Sequence, residues 1–225
     1  MSHEYARSIE VLSSPVVRVS CCGLIRIEDA QGKLLLLVNK GTHKYEDGKR
    51  VLTPVGGAIE LTPEGKVEIE RVLGITTFEQ GDDMRFTMEG MHANVLRRWF
   101  LARKGRELHP LRELCEELID EPPHLLTHPD LIDASAELRG YYSYIGPTVR
   151  SGYEGINTLS LNEIFDVSIS AEAEAQLHKA SEQEEAWVHF VTEDEIRRGM
   201  TYRGVKIASN VIGLLDTEPH IKEFS

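Results

Sequence analysis

The sequence predicts an α+β fold in which strands dominate the first quarter of the chain and strands and helices alternate later. Two observations support this prediction. Residues 16–27 and 33–39 are rich in branched apolar side chains, whereas residues 90–105 and 110–121 carry apolar residues at helical spacing. No repeat, low-complexity tract or linker divides the chain, so we predict one domain over residues 1–225.

The first quarter reads as a hairpin followed by a loop. Residues 16–27 and 33–39 predict two antiparallel strands joined at a turn that contains Gly32. The charged segment 40–50 predicts an exposed loop. The glycine pair at 56–57 then marks a site where the backbone must approach another group closely.

Two helices are predicted in the middle of the chain. The first lies between Gly90 and Gly105, and its apolar stripe consists of Val95, Leu96, Trp99 and Phe100. The second has His109 at the N-cap and Pro110 at the first helical position, and it ends before a proline pair. Upstream, residues 67–89 show no assignable period apart from a short predicted strand at 84–88.

The second half of the chain alternates between strands and helices. The predicted elements are strands at 138–145 and 158–169, a helix at 171–180, a strand at 187–191, a short helix opened by Thr192 and closed by Gly199, and a helix at 205–215.

The composition and the net charge restrict the classes of partner that this protein can have. The net charge of −12 and the pI near 5.2 disfavour a nucleic-acid partner, because most of the surface would repel phosphates. The longest purely apolar stretch, residues 34–38, is far short of a membrane span, so we expect no membrane partner. The three cysteines form neither a disulfide framework nor a metal-ligand spacing, so we expect a cytoplasmic protein.

Residues 111–118 carry the clearest chemical signal. Glu113, Glu116 and Glu117 share one face of the predicted helix, opposite an apolar face. Carboxylates at this spacing repel one another unless water or a cation neutralises them, and Mg²⁺ often bridges such carboxylates to substrate phosphates. The alternative is a solvated charged face without a chemical role.

These residues resemble the Nudix hydrolase family, whose box is G-x5-E-x7-R-E-U-x-E-E-x-G-U, with U an aliphatic residue. The string from Arg112 to Glu117, RELCEE, matches the R-E-U-x-E-E core at every defined position. Upstream, Pro54 to Glu60 resembles the start of the box, with Gly57 as its glycine. The first hairpin and the strand and helix after Trp187 are similar to the family layout.

The box departs from the family pattern in three places. Arg112 follows Gly57 by 55 positions where the box allows 14, so about 41 residues are inserted. The first box glutamate has no counterpart, because neither Glu64 nor Glu107 fits both spacings. Ile119 stands where the box has a glycine. Extra length in a loop costs little closure entropy, so the fold can accommodate the insertion.

The resemblance implies a Nudix-type α/β/α sandwich around a mixed sheet and a bound Mg²⁺ or Mn²⁺. Arg112 would orient the glutamates through ion pairs. The implied metal ligands are Glu113, Glu116, Glu117 and a carbonyl of Gly56 or Gly57. By position alone, the candidates for the general base are Glu182, Glu184 and Glu185.

The implied activity is hydrolysis of a nucleoside diphosphate linked to another moiety, in which water activated by the metal attacks a pyrophosphate phosphorus. The alternatives are a catalytically inactive Nudix-fold module that binds a nucleotide as a sensor, and a protein with a purely structural role. The substrate would be a nucleotide-type small molecule, and a homodimer remains open.

The insertion, approximately residues 61–108, contains a cluster of positive charges. Its members are Arg97, Arg98, Arg103, Lys104 and Arg106. One hypothesis makes Arg97 and Arg98 clamps for substrate phosphates. The other has these side chains pair with the acidic surface of the protein itself.

Overall fold

The computed structural model describes residues 11–39, 51–75, 78–148 and 150–224. The predicted loop at 40–50 lies outside these residues. Two mixed β-sheets and several helices form the described part of the chain, so the predicted α+β class is confirmed. The arrangement agrees with the sandwich that the resemblance implies.

The larger sheet has five strands. They are β1 (Val17–Arg26), β4 (Val55–Ala58), β5 (Arg85–Met88), β6 (Ser135–Pro147) and β7 (Asn157–Ser168). Strand β1 lies in the middle, antiparallel to β4 and β5 at one edge and parallel to β7 at the other. Strand β6 continues the sheet beyond β7.

The smaller sheet has the order β8-β2-β3-β9. Its strands are β2 (Leu34–Val38), β3 (Val51–Thr53), β8 (Val188–Val191) and β9 (Lys206–Ile207). The predicted hairpin was therefore wrong beyond its turn. The amide of Leu35 donates to the carbonyl of Ile27, but the strands then separate into two sheets, because both edges of β1 are occupied.

Five α-helices lie entirely within the described residues. They are α1 (Pro63–Leu73), α2 (Ala93–Leu101), α3 (Leu111–Cys115), α4 (Ala171–Ser181) and α5 (Glu193–Arg198). A 3-10 turn, Gly90–His92, precedes α2, and a π-helical segment, Glu116–Asp120, continues α3. Within the described residues, none of the helices is long and apolar enough to cross a membrane.

Helix α1 was not predicted. It buries Gly65, Ile69 and Leu73, which are spaced four residues apart, while Val67 and Val72 are exposed. One position of the buried stripe is thus a glycine and two valines point outward, so the apolar pattern hides the helical period.

Two predicted helices needed correction. The helix expected at 205–215 is strand β9 followed by a 3-10 helix, Ser209–Leu214, because Lys206 and Ile207 pair in parallel with β3. The carboxylate-bearing helix starts one residue later than predicted, with Pro110 rather than His109 at its N-cap.

The insertion leaves and rejoins the sheet at neighbouring points. The amide of Thr62 donates to the carbonyl of Gly105 at 3.0 Å, and the amide of Glu107 donates to the carbonyl of Glu60 at 2.8 Å. Between these bonds Leu61 forms an antiparallel bridge with Arg106. Glu107 therefore lies beside Glu60, although 47 positions separate them in the chain.

The apolar stripe of α2 packs as predicted. Leu96 and Phe100 are fully buried against residues of β1, β5 and β7, and Val95 and Trp99 pack at the margin of the same cluster. Helices α3 and α4 cover a second apolar cluster. The insertion thus adds its own packed layer to the larger sheet.

Candidate functional site

Helix α3 and its π-helical continuation, residues 111–120, together form the box helix, and the burial of its apolar face fixes its polar face. Leu114 and Leu118 are fully buried, so Glu113, Glu116 and Glu117 must face the other way. The amide of Glu121 donates to the carbonyl of Glu116 at 2.9 Å, an i to i+5 bond that defines the π-helical segment. Segments of this kind are frequent at functional sites.

The glycine pair meets two of the predicted glutamates. The amide of Gly56 donates to the Glu117 carboxylate at 2.8 Å. A β-carbon placed on Gly57 would lie 2.2 Å from Oε2 of Glu113. The structure thus brings together the two ends of the split box, and only glycine at residue 57 leaves room for Glu113.

Arg112 holds several acids at once. Its Nη1 donates to both carboxylate oxygens of Glu116 at 3.0 Å, and its Nε and Nη2 donate to Glu107 at 3.2 and 3.1 Å. Nη2 also donates to the carbonyl of Ala58 at 3.1 Å and lies 2.9 Å from Glu113. Partial burial opposes the charged guanidinium, but the hydrogen bonds with Glu107 and Glu116 outweigh it and raise the pKa of Arg112.

Glu107 was left without a role by the spacing of the box. The structure separates it from Glu64, which lies in the exposed first turn of α1. Glu107 reaches Arg112 because the paired ends of the insertion return it to the start of α3. Sequence distance alone could not reveal this proximity.

Glu113 is more desolvated than Glu116. Its side chain is 13% exposed, against 44% for that of Glu116. Burial is the largest cause of the raised pKa of Glu113, and the attraction of Arg112 offsets it in part. A bound cation would reverse this shift by favouring the ionised carboxylate.

A small cleft, with a cavity volume of only about 10 Å³, opens beside Glu113. Its wall includes Gly23 and Gly57 of the sheet, the segment 107–110 at the end of the insertion, and Glu163 and Phe165 of β7. The cleft therefore connects the box helix, the glycine pair and the insertion.

Glu163 and two insertion arginines form a buried ion cluster that the sequence analysis missed. Glu163 and Arg106 are 1% and 0% exposed, and their two hydrogen bonds measure 2.8 and 3.0 Å. Arg103 Nε lies 2.9 Å from the same carboxylate. The sequence did carry one signal, because Glu163 is the lone acid between Leu161 and Phe165 in a predicted strand.

Arg97 and Arg98 lie against the C-terminal segment. Arg97 donates to the carbonyl of Ile221 at 2.9 Å and to the Glu223 carboxylate at 3.1 Å. Arg98 is 61% exposed, and its Nη1 is 4.0 Å from Glu223. These contacts favour the hypothesis that the two arginines pair with the protein itself.

The candidate bases lie in an exposed turn between α4 and β8. The side chains of Glu182, Glu184 and Glu185 are all exposed, and none forms a hydrogen bond or ion pair with another described residue.

The donor chemistry of the box helix fits a hard divalent cation. Three carboxylates from one helix face meet a glycine pair whose backbone is closely approached. In the part of the chain that the structure describes, however, no group of three or more His, Cys, Asp or Glu side chains is placed to hold a metal ion. Glu116 would have to turn from Arg112 to join such a group.

Comparison with known proteins yields one match. The family described as the SMODS-associated NUDIX domain matches residues 16–213, which include both sheets and the whole split box. No curated protein and no solved structure shows a significant match.

Proposed function

The chain belongs to the SMODS-associated NUDIX family, within the Nudix superfamily, and we propose on this premise that it is a metal-dependent hydrolase. Its substrate would be a nucleoside diphosphate linked to another moiety. The bond cleaved would be the pyrophosphate bond.

The observation that carries this proposal is the contact between the two halves of the split box. Glu117 accepts the amide of Gly56, and Glu113 fills the space that the missing side chain of Gly57 leaves. An acidic helix face without a chemical role needs no such fit. The acids of the box helix and the glycine pair therefore stay in contact despite the insertion between them.

In this proposal Glu113, Glu116 and Glu117 hold Mg²⁺ or Mn²⁺, with a carbonyl of the glycine pair. The ion would supply charge stabilisation on the phosphoanhydride and activate the attacking water. Arg112 orients Glu113 through its ion pair, the Gly56 amide fixes Glu117, and Glu116 turns from Arg112 to reach the ion. Glu182, Glu184 and Glu185 remain the proposed candidates for the general base.

A second candidate function is a nucleotide-binding module without catalysis. The pairing of both Glu116 oxygens with Arg112 favours it, since a metal would have to break this pair. Such a module would need no metal and no acids that converge on one.

Thermal melting in the presence of Mn²⁺ tests the metal site. A ligand that binds only the native state stabilises it by about 2.7 kcal/mol at 100 times its Kd. Wild type should therefore melt at higher temperature with Mn²⁺, and Glu116→Gln/Glu117→Gln should not. The control variant Glu64→Gln/Glu68→Gln removes the same charge from exposed positions of α1 and should keep the shift. Equal shifts in all three proteins would refute the metal site.

Turnover separates the two functions. With Mg²⁺ or Mn²⁺, wild type should hydrolyse the pyrophosphate bond of nucleotide sugars, dinucleotides or nucleoside triphosphates and release a nucleoside monophosphate and the other phosphorylated half. Glu117→Gln should not, while keeping its fold. A wild type that is inactive on this panel but binds a nucleotide in calorimetry would establish the binding module instead.

A further inference from the structure

The end of the insertion is attached to β7 by a charge pair that lies wholly inside the protein. Arg106 Nη2 donates to Glu163 Oε1 at 2.8 Å, and Nη1 donates to Oε2 at 3.0 Å. The guanidinium also donates to the carbonyl of Phe100 and lies 4.5 Å from the ring of that residue. Arg106 is therefore held firmly in place, because moving it would leave its buried guanidinium without a carboxylate partner.

Arg106 passes this constraint to the next residue. Its Nη1 donates to the carbonyl of Glu107 at 3.1 Å, and the amide of Glu107 donates to Glu60. The backbone of Glu107 is thus held on both sides. Its carboxylate, in turn, accepts two hydrogen bonds from Arg112.

We infer that the Arg106–Glu163 pair is a positioning device for the acidic face of the box helix. The pair holds Glu107 against Arg112, and Arg112 then holds Glu113 and Glu116. That the pair positions Arg112 does not depend on the proposed function. That the pair also strengthens metal binding rests on the proposed function. If the pair had a purely structural role, its removal would lower the stability of the fold without changing the hydrogen bonding of Arg112.

The test removes both fully buried charges together. Arg103, which also pairs with Glu163, is 27% exposed and keeps its hydrogen bond to the carbonyl of Leu108. The double variant Arg106→Met/Glu163→Leu keeps the net charge and similar side-chain volumes, and such apolar replacements of buried pairs are often tolerated. The control is Arg18→Met/Glu79→Leu. Arg18 and Glu79 also form a buried two-bond pair on the larger sheet, at 2.7 and 3.0 Å, and neither contacts Arg112.

The first measurement is the solvent exchange of the Arg112 Nε proton by NMR, assigned with Arg112→Lys. Coupling between sites typically changes affinities by at least about fivefold, and we expect the exchange to accelerate by this factor in Arg106→Met/Glu163→Leu. The control variant should exchange like wild type. Adding Glu107→Gln should accelerate exchange in wild type but not further in the double variant, because the pair acts through Glu107.

An unchanged exchange rate in a folded Arg106→Met/Glu163→Leu protein overturns the inference, and so does equal acceleration in the control. If the double variant does not fold, Arg106→Lys keeps the buried charge but loses the second bond to Glu163 and the bond to Glu107. The same criterion then applies to it.

The second measurement is Mn²⁺ affinity by calorimetry. Loss of a partner that orients metal ligands typically weakens metal binding about 10-fold or more, and we expect this loss in the double variant only. Faster exchange of Arg112 with unchanged Mn²⁺ affinity would support the positioning of Arg112 and refute its effect on metal binding. Faster exchange with no Mn²⁺ binding in wild type would support the positioning of Arg112 and refute the proposed metal site.

Discussion

Gly57 lies so close to Glu113 that alanine at this position should displace the carboxylate. A β-carbon there would be 2.2 to 2.5 Å from the three carboxylate atoms. The backbone of Gly57 is not in the left-handed region, so alanine causes no strain of its own. The collision is with the end of a flexible side chain, which can rotate away.

The expected loss of stability is small. Rotation of Glu113 breaks its 2.9 Å contact with Arg112, and a charge-assisted contact contributes about 1.5–3 kcal/mol. Two terms oppose this loss. Moving the carboxylate into water relieves the desolvation that raises its pKa, and replacing glycine by alanine lowers the entropy of the unfolded chain, a gain of about 0.4–1 kcal/mol. We therefore expect Gly57→Ala to lower the free energy of unfolding by about 1 kcal/mol and to abolish Mn²⁺ binding.

The neighbouring glycine provides a matched control. Gly56 has a φ of 130°, and a β-carbon there would lie 2.2 Å from the carbonyl oxygen of Gly23, which cannot rotate away. Backbone strain and overpacking each cost about 1–3 kcal/mol, so Gly56→Ala should cost about 2–6 kcal/mol.

Urea unfolding and Mn²⁺ calorimetry on both variants check the prediction. Gly57→Ala should keep its fold and lose the metal, whereas Gly56→Ala should lose stability first. The reasoning is refuted if Gly57→Ala is the less stable of the two, or if it binds Mn²⁺ like wild type.

Three further predictions concern stability. Arg97→Ala should lower the free energy of unfolding by about 1–2 kcal/mol and leave KM unchanged, because the hydrogen bonds of Arg97 go to the C-terminal segment. Arg98 is exposed, so Arg98→Ala should change the free energy of unfolding by less than about 0.5 kcal/mol. A raised KM in Arg97→Ala would instead support the hypothesis that Arg97 binds substrate phosphates. Burial lowers the pKa of His189 below its ordinary value of 6.5, so the contribution of His189 to stability is present above pH 6.5 and is lost as pH falls through the lowered pKa. In urea unfolding, the free energy of unfolding should therefore fall more steeply on acidification in wild type than in His189→Gln. Parallel plots of this free energy against pH would contradict the prediction. Thr192→Ala removes the cap of α5 and should cost about 0.5–2 kcal/mol in urea unfolding, while Thr192→Ser should recover most of it; equal losses in the two variants would argue against the cap.

Local interactions made several elements predictable from sequence. The capping box at Thr192, the cap of α4 at Ser170 and the apolar stripe of α2 each involve residues within about two turns of one another. The prediction that the acids of α3 share one face, opposite Leu114 and Leu118, follows from the same periodicity. Such patterns depend on residues close together in the sequence and are largely independent of the rest of the chain.

The contacts that build the candidate site lie far apart in the chain. Glu107 reaches Arg112 through the paired ends of the insertion, and Arg106 meets Glu163 across 57 positions. Strands β1 and β2 separate because the edges of β1 pair with β4, β5 and β7. Which strand edges meet, and which charges are buried together, depends on the free energy of the whole packed structure. The sequence by itself therefore determined the helix that carries the acids, and only the tertiary structure decided which residues surround them.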